Sequence, residues 1–102
     1  MKQIVGGRRY DTGAATLIGS HERGHPGDLQ YIYEALHVTR RGNFFLHGKG
    51  GAASPYGESC GNESWGSSRI IPMSREEAFQ WAQVHLSPGE FQDVFEDLIE
   101  DA

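Results

Sequence analysis

The chain predicts an α+β domain, a small antiparallel β-sheet of two hairpins with a short N-terminal helix and two C-terminal helices packed on it. Three observations predict it. Short extended runs flank the turn signals Gly6-Gly7 and Arg40-Arg41-Gly42-Asn43. Two capping boxes, Ser74 to Glu77 and Ser87 to Glu90, open the last third of the chain. Apolar residues then recur at helical spacing behind each box. With 102 residues, the expectation is one domain, 1–102, with a single modest core.

Gln3-Ile4-Val5 and Arg8-Arg9-Tyr10 read as strands around a two-residue turn, because Gly6-Gly7 tolerates the positive φ that such a turn needs. Asp11 or Thr12 is placed to cap a helix from about Gly13 to Ser20 that buries Ala14, Ala15, Leu17 and Ile18. Ser20 to Asp28 is rich in breakers and reads as a loop. Leu29 to Thr39 alternates like a strand and pairs with Phe44-Phe45-Leu46-His47. Gly48 to Ser68, with six glycines, reads as a long irregular connection. Arg69-Ile70-Ile71 is a brief strand ended by Pro72, a helix follows to about His85 or Leu86, and a second runs over residues 89–100.

Only 37% of the residues are hydrophobic, so a few large side chains must supply most of the burial: Phe44, Phe45, Trp65, Phe79, Trp81, Phe91 and Phe95. The net charge of −5 is unevenly divided. Residues 1–50 hold seven Lys/Arg against four acids, and residues 75–102 hold Arg75 against eight acids. A net acidic chain repels phosphate at long range, which disfavours direct nucleic-acid binding. The single Cys60 excludes an internal disulfide and fits a reducing compartment. No apolar run reaches membrane-span length and Met1 to Tyr10 lacks signal-peptide character, so a cytoplasmic, non-membrane protein is expected.

Motifs that carry chemistry are weak. His21-x₃-His25 has ligand spacing for a helix, but Gly24, Pro26 and Gly27 surround it and no third ligand is fixed by spacing, so no metal site is assigned. His37 and His47 read as a structural cross-strand pair. Gly48-Lys49-Gly50-Gly51 lacks the order of a phosphate loop. Nothing around Cys60 resembles a nucleophile signature, and the reading is non-enzymatic, with no catalytic residue and no cofactor. Arg8-Arg9 and Arg40-Arg41 sit at turn tips: scattered, they are solvated turn residues, whereas joined into one basic face they favour nucleic-acid binding.

The acidic C-terminus is the main functional signal. Phe91, Val94, Phe95, Leu98 and Ile99 form an apolar stripe, leaving Glu90, Asp93, Glu96, Asp97, Glu100 and Asp101 on the other side. Like charges at this spacing cost a helix roughly 0.2–0.5 kcal/mol per pair, and acids at its C-terminus oppose the macrodipole. These six, with Glu76 and Glu77, are the candidate partner-binding residues. Spread over about 18 Å of helix, the six from Glu90 to Asp101 reach a little over half the charge density of duplex DNA.

Gly7-Arg8-Arg9-Tyr10-Asp11-Thr12 with Ala15, Arg40 to Gly48 with Gly50-Gly51, and Ile70-Ile71-Pro72-Met73-Ser74 with Glu77, Ala78 and Trp81 carry a resemblance along most of the chain. It resembles a family of short accessory proteins from phages and other mobile elements, similar to small anti-CRISPR proteins acting on type I effectors. The resemblance implies a monomer or weak homodimer that binds a Cas effector subunit in a bacterial host and blocks its target DNA binding. The alternative is a small regulatory protein that binds another protein or a nucleic acid.

Overall fold

The computed structural model describes all 102 residues, and strands dominate it. In chain order the elements are β1 (Lys2–Val5), β2 (Arg8–Asp11), β3 (Thr16–Arg23), β4 (Ile32–Val38), β5 (Phe44–Gly50), β6 (Glu58–Cys60), β7 (Glu63–Trp65), β8 (Ser67–Met73), α1 (Arg75–His85) and α2 (Pro88–Phe91), followed by a 3-10 turn at Glu96–Leu98. Strands β3-β4-β5-β8 form one antiparallel sheet, and β1-β2 and β6-β7 are separate hairpins. Gly6 and Gly7 both take positive φ at the β1–β2 turn, where Val5 pairs with Arg8. No helix is long and apolar enough to cross a membrane.

The pleat of the central sheet sorts its side chains onto two faces. Leu36, Phe44 and Leu46 point to one face and pack with Ala78, Ala82, Leu86, Phe91 and Phe95 from the C-terminal segment. Phe45 and Ile70 point to the other and pack with Tyr10 of the β1–β2 hairpin, which covers that face. Phe45 and Phe95 are fully buried, each stabilising by about 1.5–3 kcal/mol. The hairpin also reaches an edge strand, since Gln3 Oε1 accepts a 2.9 Å bond from the Ile70 amide of β8. Pro72 is tolerated within β8 because that strand has only one neighbour in the sheet.

The expected arrangement of a two-hairpin sheet, a short N-terminal helix and two full C-terminal helices is overturned. Residues 16–23 form β3, not a helix, and pair with β4 from Thr16↔Val38 to Arg23↔Ile32 across a bulge near Ile18. A helix over Gly13–Ser20 would have been short, with Gly13 and Gly19 each costing about 1 kcal/mol, while an extended chain gains the free edge of β4. The segment expected as a loop after Ser20 is partly this strand. The connection expected over Gly48–Ser68 is likewise structured, β5 running to Gly50, the β6–β7 hairpin turning at Gly61, and β8 starting at Ser67.

Only α1 is a full helix, and its capping box is formed as predicted, Ser74 Oγ accepting from the Glu77 amide at 3.1 Å and Glu77 Oε1 from the Ser74 amide at 2.8 Å. The second expected helix stops after one turn. Phe95 takes φ −116° and ψ 23°, which breaks the α path, and the chain ends without regular structure after the 3-10 turn. The apolar stripe survives in part, with Phe91 and Phe95 buried, Val94 and Leu98 packed on the core and Ile99 exposed. Outside the helix the carboxylates no longer stack three and four apart against a dipole, while Arg75 pairs with Asp97 and Phe95 stays buried.

Candidate functional site

The two turn tips that carry arginine meet. Arg8 of β2 donates to Asn43 Oδ1 at 2.8 Å, bridging the β1–β2 hairpin to the β4–β5 turn. That turn is closed by the Gly42 amide bonding to the Thr39 carbonyl at 2.9 Å, with Gly42 at φ 83°. Arg8, Arg9, Arg40 and Arg41 therefore line one concave surface with Tyr10, Ala14 and Thr39. All four arginines are exposed and none is in an ion pair. Asp11, the one acid in the groove, has its Oδ1 engaged by the Gly13 amide at 2.9 Å.

The expected acidic residues fall on several elements. Glu77 and Glu90 are engaged in caps, Glu90 Oε1 accepting from the Ser87 amide at 3.1 Å and Ser87 Oγ at 2.9 Å. Asp97 holds Arg75 in a two-pronged ion pair, and the same guanidinium donates to the Val94 carbonyl at 3.2 Å. That pairing lowers the Asp97 pKa and raises that of Arg75. Glu76, Asp93, Glu96, Glu100 and Asp101 remain exposed without a cationic partner, spread over α1, a turn, the 3-10 turn and the chain end.

On the helix face of the sheet lies a polar cluster that sequence spacing does not reveal. Glu34 of β4 pairs across the ladder with His21 of β3 on one side and Gly48 of β5 on the other. Because Gly48 has no side chain, the Tyr56 ring lies over it and its hydroxyl donates to Glu34 Oε2. His21 Nε2 lies 3.0 Å from Glu34 Oε1, and Trp81 Nε1 of α1 reaches the same oxygen at 3.4 Å. Burial pushes the Glu34 carboxyl up, but the hydrogen bonds from Tyr56, His21 and Trp81 outweigh it and hold its pKa below the ordinary value. Tyr56 is driven well above an ordinary phenol by burial and by the carboxylate.

His85, at the end of α1, stacks on His21 with ring centroids 4.0 Å apart and planes 5° from parallel. Burial and then the neighbouring His21 lower the His85 pKa, with Arg23 adding to the effect and Glu34 opposing it. His25 takes no part in this cluster. His37 and His47 are not directly paired, since His37 faces Phe45 and His47 faces Ala35. Both are depressed, first by burial, and the His37 ring stacks on Phe45 at 5.0 Å. Cys60 is exposed in the β6–β7 hairpin, apart from every histidine cluster. No known protein family, curated protein or solved structure matches the chain.

Proposed function

We propose that this chain is a small non-catalytic binding protein that grips the phosphate backbone of a nucleic acid through its arginine groove. The observation that carries the reading is that Arg8, Arg9, Arg40 and Arg41 line one concave surface, none of them in an ion pair, against the single acid Asp11. Guanidinium forks match phosphate oxygens, and exposed arginines that neutralise phosphates release the counterions condensed on the nucleic acid. The net charge of −5 does not cancel this. The helices pack on the face of the sheet opposite the β1–β2 hairpin. Packed layers stand about 10 Å apart, beyond the screening length of about 8 Å at physiological salt.

Fluorescence anisotropy with a labelled twelve-nucleotide single strand and the matching duplex tests this directly. Four phosphate contacts imply a slope of log affinity against log salt of about −2.8 to −3.6, or a loss of roughly 50- to 150-fold between 50 and 200 mM salt. Changing Arg9→Gln or Arg41→Gln is expected to reduce that slope by about 1 each. Absence of binding at low salt, or an unchanged slope with all four arginines replaced, refutes the reading.

A second reading has its own support in the five exposed carboxylates without cationic partners, Glu76, Asp93, Glu96, Glu100 and Asp101, and in the resemblance to anti-CRISPR proteins. In it, the acidic residues occupy a basic DNA-binding surface of a type I Cas effector subunit and block target binding. The chain leaves the α-helix after Phe91, so these carboxylates do not lie along one continuous helix face. Neutralising Asp93, Glu96 and Glu100 to Asn or Gln is expected to abolish capture of such a subunit from host lysate and its inhibition. Undiminished inhibition by that variant removes this reading.

A further inference from the structure

We propose that His21, Glu34 and His85 form a binding site for one divalent transition-metal ion of the zinc class, on the face of the sheet opposite the arginine groove. Their ligand atoms come from three elements, β3, β4 and α1, and all lie within 4.8 Å of one another. Two imidazoles and a carboxylate are the donor set that zinc takes when one position is left for water. Ligand atoms about 2.0–2.1 Å from a tetrahedral ion sit roughly 3.3 Å apart. The His21 Nε2 to Glu34 Oε1 separation of 3.0 Å is near that spacing already, and rotation of the His85 ring supplies the third ligand.

The fold builds this convergence instead of merely permitting it. Gly19, two residues before His21 on the same face of β3, packs against Leu86, and a Cβ there would stand 2.7 Å from Leu86 Cδ1. The missing side chain lets the end of α1, and with it His85, come down onto β3. Gly48 does the same for Tyr56 beside Glu34. Tyr56 and Trp81 then fix the carboxylate from outside the ligand set, as partners in metal sites hold their ligands. The two rings lie 4.0 Å apart, and imidazole ligates a metal in its neutral state.

Metal binding replaces the His21 to Glu34 hydrogen bond. The Nε2 lone pair turns to the ion, the ring proton moves to Nδ1, and any second proton on either imidazole is released to solvent. Soft thiolate is absent from the cluster, which favours zinc, cobalt or nickel over copper(I).

Titration of the untagged chain with Co²⁺, followed by displacement with Zn²⁺, tests the site without reference to any activity. The expected result is one equivalent bound, visible absorption of four-coordinate cobalt, loss of that absorption on adding zinc, and a melting temperature raised by roughly 10 °C or more at metal 100-fold above Kd. His21→Gln and His85→Gln should each weaken binding by at least 100-fold, and His25→Gln should leave it unchanged. Tyr56→Phe should weaken it roughly 10- to 100-fold with stoichiometry retained. Should the ligand variants misfold, paramagnetic shifts in the wild-type histidine side-chain NMR spectrum decide the matter. Perturbation confined to His21 and His85 supports the site, and perturbation centred on His25, His37 or His47 overturns it. Absence of stoichiometric binding, or binding that survives His21→Gln with His85→Gln in a folded protein, also overturns it.

Discussion

Tyr56→Phe isolates one hydrogen bond on which the helix-side polar cluster depends. The ring is 2% exposed and lies over Gly48, so removing only the hydroxyl leaves the packing and creates no cavity. What is lost is a donor to a half-buried carboxylate, and hydrogen bonds to charged groups contribute about 1.5–3 kcal/mol. At pH 7 the variant should be less stable by about 2 kcal/mol, lowering Tm by roughly 8 °C or more in a domain of this size. The pH dependence gives a sharper test. Glu34 has a depressed pKa in the folded protein, so its contribution is present above the unfolded value of about 4.3 and fades as pH falls through the folded value. Without the Tyr56 bond that depression shrinks, so the gap between wild type and variant should narrow below about pH 4. Tyr56 itself has a raised pKa, so its stabilisation is full below about pH 10 and is lost as pH rises beyond it, a limb that Phe cannot show. Urea denaturation from pH 3 to pH 11 measures all three regimes. A deficit under about 0.5 kcal/mol at pH 7, or one that does not change between pH 7 and pH 3, would refute the reasoning.

Phe95→Ala should cost about 3–5 kcal/mol, because this fully buried ring joins Phe44, Phe79 and Phe91 under the sheet; native melting of that variant would show the C-terminal segment to be an appendage. Gly48→Ala should destabilise by about 1–3 kcal/mol through overpacking against the Tyr56 ring, and the same urea series should show it losing the acid limb assigned to Glu34. The arginine substitutions and the cobalt titration complete the set, each read by binding and not by stability.

Local chemistry was legible in the sequence wherever the deciding interactions are short-range. Gly6-Gly7 makes its turn because glycine alone takes positive φ at no steric cost, the Ser74 box closes over three residues, and the β4–β5 hairpin turns at Arg40 to Asn43. Residues 16–23 and 92–101 depart from their local pattern because their local preferences are weak and tertiary contacts outvote them. An unpaired edge of β4 draws β3 into the sheet, and Arg75 with the buried Phe95 holds the end of the chain outside a regular helix. The acidic residues were visible by composition, yet which of them stay free depends on caps and an ion pair formed only in the fold. The four arginines were also visible, but 35 residues separate Arg8 from the Asn43 side chain that brings their turns together. His21, Glu34 and His85 carry no spacing signal at all. Their meeting depends on strand register and on two glycines that leave room for a helix end and a tyrosine ring, and register is set by burial across the whole sheet, which no local window of sequence contains.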